Sequence, residues 1–375
     1  MGCNSTVRLG DVIRLEDAKR EPISARRRNE RKGTYPYFGA QGVVDHLNDY
    51  TYEGEYLLVA EDGENLRSRK QPIANAVSGR FRVNNHAHVL RGTERCNLIY
   101  LQHLLNSMDI SGYITGSTQP KLSQFNLLNI TMALPDIDTQ NVISFLLKSF
   151  DEKISLNNRL NGYLEELADS LFQDMFARQA DNATLADVAS VTMGQSPAGA
   201  SYNEKGVGAV FYQGRGEFGW RFPTQRLFTT APKRMAAVND VLMSVRAPVG
   251  DLNVAYEDCC IGRGLAAISS DHHSFCLYLM RFLKRKLDAF NGEGTVFGSI
   301  NGKALKGLPV YAPPASAIEA FEAKASPIDK LISTNEAENR KLEKMRDTLL
   351  PKLMSGEIDV SKVDLTQLNS HLADC

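Results

Sequence analysis

Several signatures of common protein classes are missing from this chain of 375 residues. It has only six cysteines, and these form no C-x-x-C pair and no metal-ligand spacing with histidine. No run approaches the roughly 18–20 apolar residues that a bilayer span requires. The first residues, MGCNSTVRLGDV, lack the charged and then apolar pattern of a secretory signal. We therefore expect a reduced, cytoplasmic protein with no membrane association.

Motifs that would indicate catalysis are also missing. The sequence has no Walker A loop, no G-x-S-x-G and no Asn/Asp-Pro-Pro-Tyr type motif of amino-methyltransferases. The GxGxxG match at 214–219 is followed by WRFP, and Pro223 prevents the helix that a dinucleotide loop must open. Pro135-Asp136 with Asp151-Glu152-Lys153 imitates a nuclease pattern, but the second group lies in a helical segment rather than on a strand. We expect no catalytic residues and no bound cofactor.

His86-x-His88 is the one pattern that suggests a metal. On a strand, this spacing would place both rings on one face. No third ligand stands nearby in the sequence, so packed or hydrogen-bonded histidines are the preferred interpretation. We therefore expect no metal site.

A long internal repeat organises what is present. The stretch 116–176 aligns without gaps on 294–354 when the chain is shifted by 178 residues. Gly116, Leu127 and Pro135 fall on the same residue types in the second copy. A second signal, Leu-x-Asp-Val at 9–12 and at 185–188, extends the repeat into the globular parts. Each copy is therefore one globular unit followed by one long helix.

The repeated helix carries a heptad pattern. From Ile143 to Met175, steps of four and three select mainly apolar residues, and the second copy repeats this from Phe321 to Leu353. Such a pattern predicts a coiled coil with asparagines in mid-seam, which fix register. Antiparallel pairing, with partner numbers summing to 496, would join Asn157 to Asn339, Asn161 to Asn335, Ile154 to Leu342 and Leu164 to Ile332. Pro327 and Pro351 predict that the second helix is kinked or shorter.

The globular units have a β-rich pattern of short apolar runs broken by glycine and asparagine, each with one helical segment, at 97–108 and 276–290. Residues 1–130 and 180–313 each carry a net charge of +3, whereas 131–179 and 314–375 carry −4 and −3. Cations interleaved with aromatics suit contact with phosphates and bases. The alternative is a solvated surface. The candidate nucleic-acid contacts are Arg26, Arg27, Arg28, Arg31, Lys32, Tyr35, Tyr37, Arg67, Arg69, Lys70, Arg215, Trp220, Arg221, Arg226, Lys233, Arg234, Arg246 and Arg263.

The repeated stretch resembles a known family. The run G-S-T-Q-P-K-L-S at 116–123 and D-x-K-I-x-x-N-x-x-x-N-x-x-L-E at 151–165 resemble the first conserved region of the DNA-specificity subunits of type I restriction–modification enzymes. The second copy, with G-T-V-F-G-S-I-N-G-K at 294–303 and L-L-P-K-L-M-S-G-E-I-D-V at 349–360, resembles their second conserved region. The resemblance covers essentially the whole chain.

The resemblance implies a non-catalytic subunit whose two recognition domains bind an asymmetric, bipartite site in double-stranded DNA. It also implies two partner modification subunits, which bind S-adenosylmethionine and methylate adenine, and restriction subunits that use ATP and magnesium. It places Gln119 and Lys121 where the first domain approaches its helix, as further candidate DNA contacts beside a purely structural turn. Helices of about 40 residues would span about 60 Å and could set the spacing of the half-sites.

The predicted fold class is α+β, with two similar β-rich recognition domains joined by two long antiparallel coiled-coil helices in pseudo-two-fold symmetry. The predicted boundaries are 1–130 and 180–313 for the domains, 131–179 and 314–356 for the helices, and 357–375 for a C-terminal tail. Two other functions stay open from the residues alone. They are a DNA methyltransferase or nuclease that acts by itself, and a coiled-coil adaptor that binds only proteins.

Overall fold

A computed structural model describes residues 5–291, 298–360 and 363 of the chain. The chain forms two compact units. Unit 1 comprises Met1–Ser155 and Asn339–Cys375, and unit 2 comprises Leu156–Glu338. Each unit therefore contains one globular domain and one half of each long helix. Most of the predicted C-terminal tail, and positions 294–297 of the second repeat copy, lie outside the described residues.

Unit 1 is built on one six-stranded sheet. The strands of unit 1 are β1 (Ser5–Arg8), β2 (Ile13–Leu15), β3 (Lys32–Gly39), β4 (Gly42–Leu47), β5 (Tyr52–Ala60), β6 (Ala74–Val83), β7 (Ala87–Gly92) and β8 (Thr131–Leu134). Its helices are α1 (Ala25–Glu30), α2 (Asn65–Ser68), α3 (Leu98–Ser107), α4 (Gln124–Leu128) and the start of α5 (Ile137–Phe176). The sheet order is β2-β7-β5-β6-β3-β4, and β1 pairs separately with β8. The central strand β5 ends in five buried residues, which explains its apolar run at 56–60.

Unit 2 contains two smaller sheets. Its strands are β9 (Ala183–Thr184), β10 (Ser190–Met193), β11 (Tyr202–Asn203), β12 (Ala209–Tyr212), β13 (Leu227–Thr229), β14 (Met235–Ala236), β15 (Val241–Ser244), β16 (Leu252–Val254), β17 (Cys259–Ile261), β18 (Leu265–Ser269) and β19 (Pro309–Val310). Its helices are α6 (Leu185–Val188), α7 (His273–Phe282), α8 (Lys284–Asp288), α9 (Gly302–Lys306) and the start of α10 (Ala315–Met354). The sheet orders are β10-β18-β15-β16 and β11-β13-β12-β17-β14, and β9 pairs with β19.

The two units share a common frame. The strand order β2-β7-β5-β6 of unit 1 corresponds to β10-β18-β15-β16 of unit 2, and the β1–β8 pair corresponds to β9–β19. The short helices that follow, α3 and α4, correspond to α7 and α9. What differs is the segment between the first strand and the central strand of the frame. Unit 1 places α1, β3 and β4 there, whereas unit 2 places β11 to β14 there.

The predicted class of mixed helix and sheet with two long helices is confirmed. Both α5 and α10 contain 40 residues, so the prediction that proline shortens the second helix is wrong. Pro327 and Pro351 are both exposed. Water can therefore bond the carbonyl that each proline leaves without its helical donor. The predicted helix at 276–290 is two helices, because the helix is interrupted at Leu283, between α7 and α8.

Within each unit the two long helices run antiparallel. In unit 1, Leu147 of α5 and Leu353 of α10 belong to the same buried core, and Asp151 lies 2.7 Å from Arg346. In unit 2, Phe172 packs edge-on against Phe321 at 5.4 Å. Residues further along α5 therefore contact residues earlier on α10. The apolar heptad positions supply this packing, as hydrophobic burial requires.

Candidate nucleic-acid interface

The polar centre of the long helices lies among the predicted seam residues. Asn157, Asn161, Asn335 and Asn339 are all at most 7% exposed. In unit 2, Asn335 donates to the side-chain oxygen of Asn161 at 2.7 Å, and Asn161 donates to Glu336 at 3.1 Å. Asn157 donates to Glu338 at 2.7 Å. Buried amides that are hydrogen-bonded in this way favour one register over its neighbours.

The other predicted seam positions lie on the same inward face. Ile332 is fully buried, Leu164 packs against the core of unit 2, and Ile154 and Leu342 of unit 1 are half-buried. Asp151, from the Asp-Glu-Lys trio that imitates a nuclease, lies on this helix and pairs with Arg346. That carboxylate is engaged on the helix rather than directed to a strand-borne metal site.

In unit 1, helix α1 carries exposed cations and the hairpin β3–β4 carries exposed apolar side chains. Arg26 and Arg27 are exposed on α1, and Arg26 makes only a weak 3.7 Å pair with Glu30. Val43 and Val44, at the start of β4, are each about half exposed. An exposed guanidinium can meet a phosphate, and an exposed valine can meet a thymine methyl group.

Tyr37 and Arg28 do not have the exposure that the sequence prediction requires. Tyr37 is 1% exposed, and its hydroxyl donates to the carbonyl of Glu21 at 2.9 Å and accepts from the amide of Ile23. Burial raises the pKa of this hydroxyl. Arg28 bonds the carboxylate of Asp45 at 3.1 Å and the carbonyl of Ile23 at 2.8 Å. Both side chains hold the segment before α1 in place, because a buried polar group must be satisfied internally.

Lys32 and Arg31 are partly engaged by carboxylates. Lys32 lies 2.6 Å from Asp45, and this hydrogen bond is the main reason that the pKa of Asp45 falls to about 2. Arg31 lies 2.6 Å from Asp49. Lys32 keeps more than half of its side-chain surface exposed. A nucleic-acid phosphate would therefore compete with Asp45 for this ammonium group.

An aromatic and cationic group that the sequence interpretation missed lies beside Tyr35. The Tyr35 and Tyr50 rings are 5.1 Å apart, and the Arg80 guanidinium lies 4.9 Å from the centre of the Tyr50 ring. Arg80 also pairs with Glu53 at 2.9 Å. Tyr35, Tyr50 and Arg80 are separated in sequence, and the pairing of β6 with both β3 and β5 brings them together.

The loop at 116–121 is anchored by Arg67. Its guanidinium donates to the carbonyl of Ser117 at 3.0 Å and to the carbonyl of Gly116. Gly116 has φ +86°, and a Cβ there would lie 2.2 Å from the carbonyl oxygen of Gln119, so only glycine fits this turn. The Gln119 side chain is exposed, and Lys121 lies 3.2 Å from Glu61.

Arg69 has a structural role rather than the predicted contact with nucleic acid. One of its nitrogens donates to the carbonyls of Leu105, Asn106 and Met108, which end helix α3. Those carbonyls have no partner within the helix, so a cation there is favourable. Lys70, next in the sequence, is exposed.

Arg221 is the clearest departure from the predicted set. It is 4% exposed, lies 3.2 Å from Glu165 of α5, and also bonds Asp329 of α10. Its guanidinium lies 5.6 Å from the centre of the Tyr278 ring. Burial raises the pKa of Glu165, and the neighbouring arginines act in the opposite direction. Arg221 therefore ties the domain of unit 2 to both long helices and is not available to a ligand.

The remaining cations of unit 2 fall into two groups. Arg215 pairs with Asp251 at 2.9 Å, and Arg226 pairs with Glu217 at 2.9 Å. In both arginines about half of the side-chain surface stays exposed to solvent. Four exposed cations have no carboxylate partner among the described residues: Lys233, Arg234, Arg246 and Arg263. Trp220 is 49% exposed. These side chains are free to meet an external anion.

The two histidines of His86-x-His88 have different environments. His86 precedes β7, is half exposed and lies 2.8 Å from Asp62. His88 is fully buried, with Asp17 at 2.7 Å from Nδ1 and the carbonyl of Leu122 at 2.8 Å from Nε2. His86 lies in the turn before the strand, which begins only at Ala87, so the two histidines are not both strand residues as the spacing argument assumed.

His88, Asp17 and Glu61 together have the atom spacing of a metal site. Sequence patterns did not indicate this group, because its members come from distant segments. Protein donors already engage the carboxylate oxygens. Arg20 lies 3.1 Å from Asp17 and 2.6 Å from Glu61, and Gln124 donates to Asp17 at 2.8 Å. The cluster is a buried hydrogen-bonded network that joins β5, β7 and the loop before α4.

Among the residues described by the structure, no helix is both long enough and apolar enough to cross a membrane.

Comparison with known proteins gives three findings. Residues 4–166 match the family model of the type I restriction modification DNA specificity domain. The chain is 30% identical over 379 aligned residues to the type I restriction enzyme MjaX specificity subunit of Methanocaldococcus jannaschii, covering 93% of this chain and 84% of that protein. It is also 34% identical over 135 residues, 36% of this chain and 34% of that protein, to the type I restriction enzyme specificity subunit S.HindORF215P of Haemophilus influenzae.

A solved structure supports the fold. The S subunit of a type I restriction-modification system from M. genitalium superposes with a TM-score of 0.66 at 15% identity, and the match covers 93% of this chain and 96% of that chain. The long MjaX relative, the family model and this shared fold lead to the same conclusion. The chain belongs to the family of type I restriction–modification DNA-specificity subunits, the sequence-recognising and non-catalytic subunits of these enzymes.

Proposed function

We propose that each domain of this chain recognises one half of an asymmetric, bipartite DNA site, and that the chain scaffolds the modification subunits that methylate it. The observation that carries the proposal is the common frame with different inserts. Units 1 and 2 repeat one strand order but differ between the first and central strands. A shared frame with different exposed side chains would present two different sets of base contacts in similar geometry.

The inserts are also where exposed cations and aromatics concentrate. In unit 1 they include the exposed Arg26, Arg27 and Lys32 and the half-buried Tyr35, with the exposed Arg80 on the neighbouring strand β6. In unit 2 they include Trp220, Lys233 and Arg234. Cations supply affinity for the DNA backbone, and side chains that reach base edges supply sequence choice. We therefore assign sequence recognition to residues 16–51 of unit 1 and 194–240 of unit 2.

The scaffold role is supported by an apolar surface on α5, which we call the outer stripe. Leu156, Leu160, Tyr163 and Leu167 follow the helical period on a flank of α5 outside the seam, and all are between 39% and 69% exposed. The corresponding positions of α10 are Thr334, Glu338, Lys341 and Met345. We propose that an apolar helical segment of a modification subunit covers the outer stripe, giving a helix-on-helix interface.

Methylation mapping tests the recognition role. The chain would be produced with the modification subunit of its own operon and given S-adenosylmethionine, and the methylated adenines would be mapped across a genome. We expect one split motif with two different halves. Exchange of 16–51 for the same segment of a relative should change one half only, and exchange of 194–240 should change the other.

Two results would contradict the proposal. Methyl transfer by the purified chain without a modification subunit would indicate a stand-alone methyltransferase. Failure to select any split motif, with the modification subunit bound, would favour a protein-only adaptor. The scaffold role has its own control. Leu160→Glu on the outer stripe should abolish capture of the modification subunit, whereas Lys341→Glu on α10 should leave that capture intact.

The spacing role of the long helices is tested by insertion. Four residues inserted after Asn161, on the helix that connects the two domains, should change the permitted spacer between the half-sites while leaving both half-sites unchanged. An unchanged spacer length would show that the helices do not set the distance.

A further inference from the structure

The loop edge of the shared frame carries different charges in the two units. In unit 2, β15 and β18 pair antiparallel with Ser244 opposite Leu265, and the amide of Val245 then donates to the carbonyl of Gly264 at 3.0 Å. Arg246 and Arg263 follow one residue beyond this bond on their two segments, so they start from neighbouring backbone positions. Arg263 lies in the turn that the hydrogen bond from the amide of Leu265 to the carbonyl of Gly262 closes. Both arginines are exposed.

Arg246 and Arg263 have no carboxylate partner among the described residues. The third chain segment at this edge contributes Ser299, which forms an isolated bridge with Arg246 and carries no charge. The two arginines thus lie at neighbouring backbone positions, with no described carboxylate to neutralise them.

The backbone around both arginines is fixed. Arg263 lies between Gly262 and Gly264, where a Cβ would lie 2.8 Å and 2.9 Å from the carbonyl oxygen of Gln213. The amide of Arg263 donates to the hydroxyl of Ser196 at 3.2 Å. On the other strand, the carbonyl of Arg246 accepts from Ser244 at 2.8 Å. A cationic pair on a fixed backbone needs little reorganisation to bind an anion.

The same edge of unit 1 is neutralised internally. There the amide of Glu61 donates to the carbonyl of His86 at 2.9 Å, the counterpart of the Val245–Gly264 bond. The positions that correspond to Arg246 and Arg263 are Asp62 and Asn85. Asp62 pairs with His86 at 2.8 Å, and Lys121, which corresponds to Ser299, pairs with Glu61 at 3.2 Å.

We propose that Arg246 and Arg263 form a phosphate clamp, a pair of positioning residues that holds one backbone phosphodiester of the DNA next to the half-site recognised by unit 2. This assignment rests on the DNA-recognition role proposed above. Arginine suits such a contact because its planar guanidinium bonds phosphate oxygens in pairs. Unit 1 lacks an equivalent clamp, so backbone anchoring at this edge is a property of unit 2.

The test uses the full chain bound to its modification subunit and a duplex that carries the methylation-mapped site. Each lost phosphate contact lowers the slope of log K against log salt by about 0.9. We expect the double variant R246Q/R263Q to lower that slope by about 0.9, as for one phosphate, while the mapped sequence motif stays the same, because a phosphate contact carries no sequence information. R178Q/R285Q, with two exposed arginines elsewhere in unit 2, is the matched control and should keep the wild-type slope.

A neutral methylphosphonate linkage locates the contact. Scanned through the half-site of unit 2, it should weaken wild-type binding at one linkage, and that effect should disappear in R246Q/R263Q. An unchanged salt slope in the double variant, or a linkage effect that persists in it, would overturn the clamp. Inorganic phosphate could bind the two arginines while the salt slope of DNA binding stays the same in the double variant. That result would identify a small-anion site and would also overturn the clamp. Loss of binding by the wild-type chain would instead contradict the proposed function.

Discussion

The two units attach a domain to the long helices at equivalent places with different chemistry. In unit 1, α5 meets the start of α3 through neutral groups. Gln140, which is fully buried, accepts the amide of Asn97 at 2.9 Å and donates to the carbonyls of Arg95 and Pro135. Ser144 donates to the side chain of Asn97 at 2.9 Å.

In unit 2 the corresponding attachment is ionic. Glu322, at the position that corresponds to Ser144, accepts the amides of Ser274 and Phe275 at 3.2 Å and 2.9 Å and so caps α7 from another helix. Arg221 and Arg281 add ion pairs to Glu165, and Arg281 also lies 2.6 Å from Asp169. The repeat therefore preserves the backbone geometry of the attachment but not its side-chain chemistry. Loss of one partner should cost more in unit 2, because it leaves a buried charge.

The largest expected effect is at Arg221. Arg221→Met should destabilise unit 2 by about 3–5 kcal/mol, because Glu165 and Asp329 lose a buried counter-charge. Urea unfolding followed by fluorescence of Trp220, the single tryptophan, measures it. Arg215→Met is the control, since its ion pair with Asp251 is partly exposed on both sides and should contribute less than about 1 kcal/mol. Equal destabilisation by the two variants would remove the distinction between buried and surface charges.

At Gln140 we expect an intermediate effect confined to unit 1. Gln140→Leu leaves the amide of Asn97 and two carbonyls without partners, which costs about 1–3 kcal/mol. Hydrogen exchange of α3 peptides measures the loss, with the exposed Gln179→Leu as the control. Because no ion pair is broken, the loss should be the same in low and high salt. Strong salt dependence would contradict a neutral attachment.

The helix caps provide a smaller and more direct comparison. Asn97 caps α3 through the amides of Ile99 and Tyr100 at 2.9 Å and 3.1 Å, so Asn97→Ala should cost about 1 kcal/mol. Glu322→Gln keeps a hydrogen-bonding oxygen near α7 and removes only the charge, so it should cost about 0.3–1 kcal/mol. Exchange rates in the first turn of each helix measure both effects. A larger loss for Glu322→Gln would show that charge, not hydrogen bonding, dominates the cap.

The smallest expected effect is the pH dependence that His103 gives to unit 1. His103 of α3 corresponds to Arg281 of α7, and its Nε2 has no hydrogen-bond partner among the described residues. Burial lowers the pKa of His103, Asp151 opposes this and Arg346 adds to it. The unfolded chain then accepts a proton more readily than the folded chain, so stability is full above the ordinary pKa near 6.5 and is lost as pH falls below it.

His103→Gln should remove that loss. Hydrogen exchange of α3 and α7 peptides at about pH 7.5 and about pH 5.5 measures it. We expect α3 protection in the wild type to fall at the lower pH, and to fall less in the variant. The α7 peptides should not respond in this way, because Arg281 stays charged throughout. The same pH response in the variant would assign it to other groups.

Much of the architecture follows from patterns that are local in sequence. The heptad steps from Ile143 and from Phe321 predicted two long helices, and α5 and α10 are the result. The 178-residue repeat predicted two similar units, and the strand orders agree with it. Periodicity succeeds because a helix fixes which side chains share a face. The shortening predicted from Pro327 and Pro351 was wrong because a local rule does not reveal solvent exposure, whereas the alternative of a kink stays a prediction.

Site residues were harder to predict, because exposure is not a property of residue type. Arg221 and Arg263 are equally cationic in sequence, yet one is 4% exposed between two helices and the other is exposed on a loop. Sequence patterns did not point to Arg80 and Tyr50, because their proximity to Tyr35 depends on the pairing of β6 with β3 and β5. Which cations face outward therefore had to come from the packed structure.

The sequence by itself determined the duplicated plan, the two long helices with buried asparagines, and the family. These depend on residue order and on helical periodicity, which tertiary contacts do not alter. Only the tertiary structure decided which cations bond to groups of the protein itself, as Arg221 and Arg69 do. It also decided which cations stay exposed without a described carboxylate partner, as Arg246 and Arg263 do. The physical reason is that a charge is neutralised by whatever packing places within a few ångströms, and most of those neighbours lie far away along the chain.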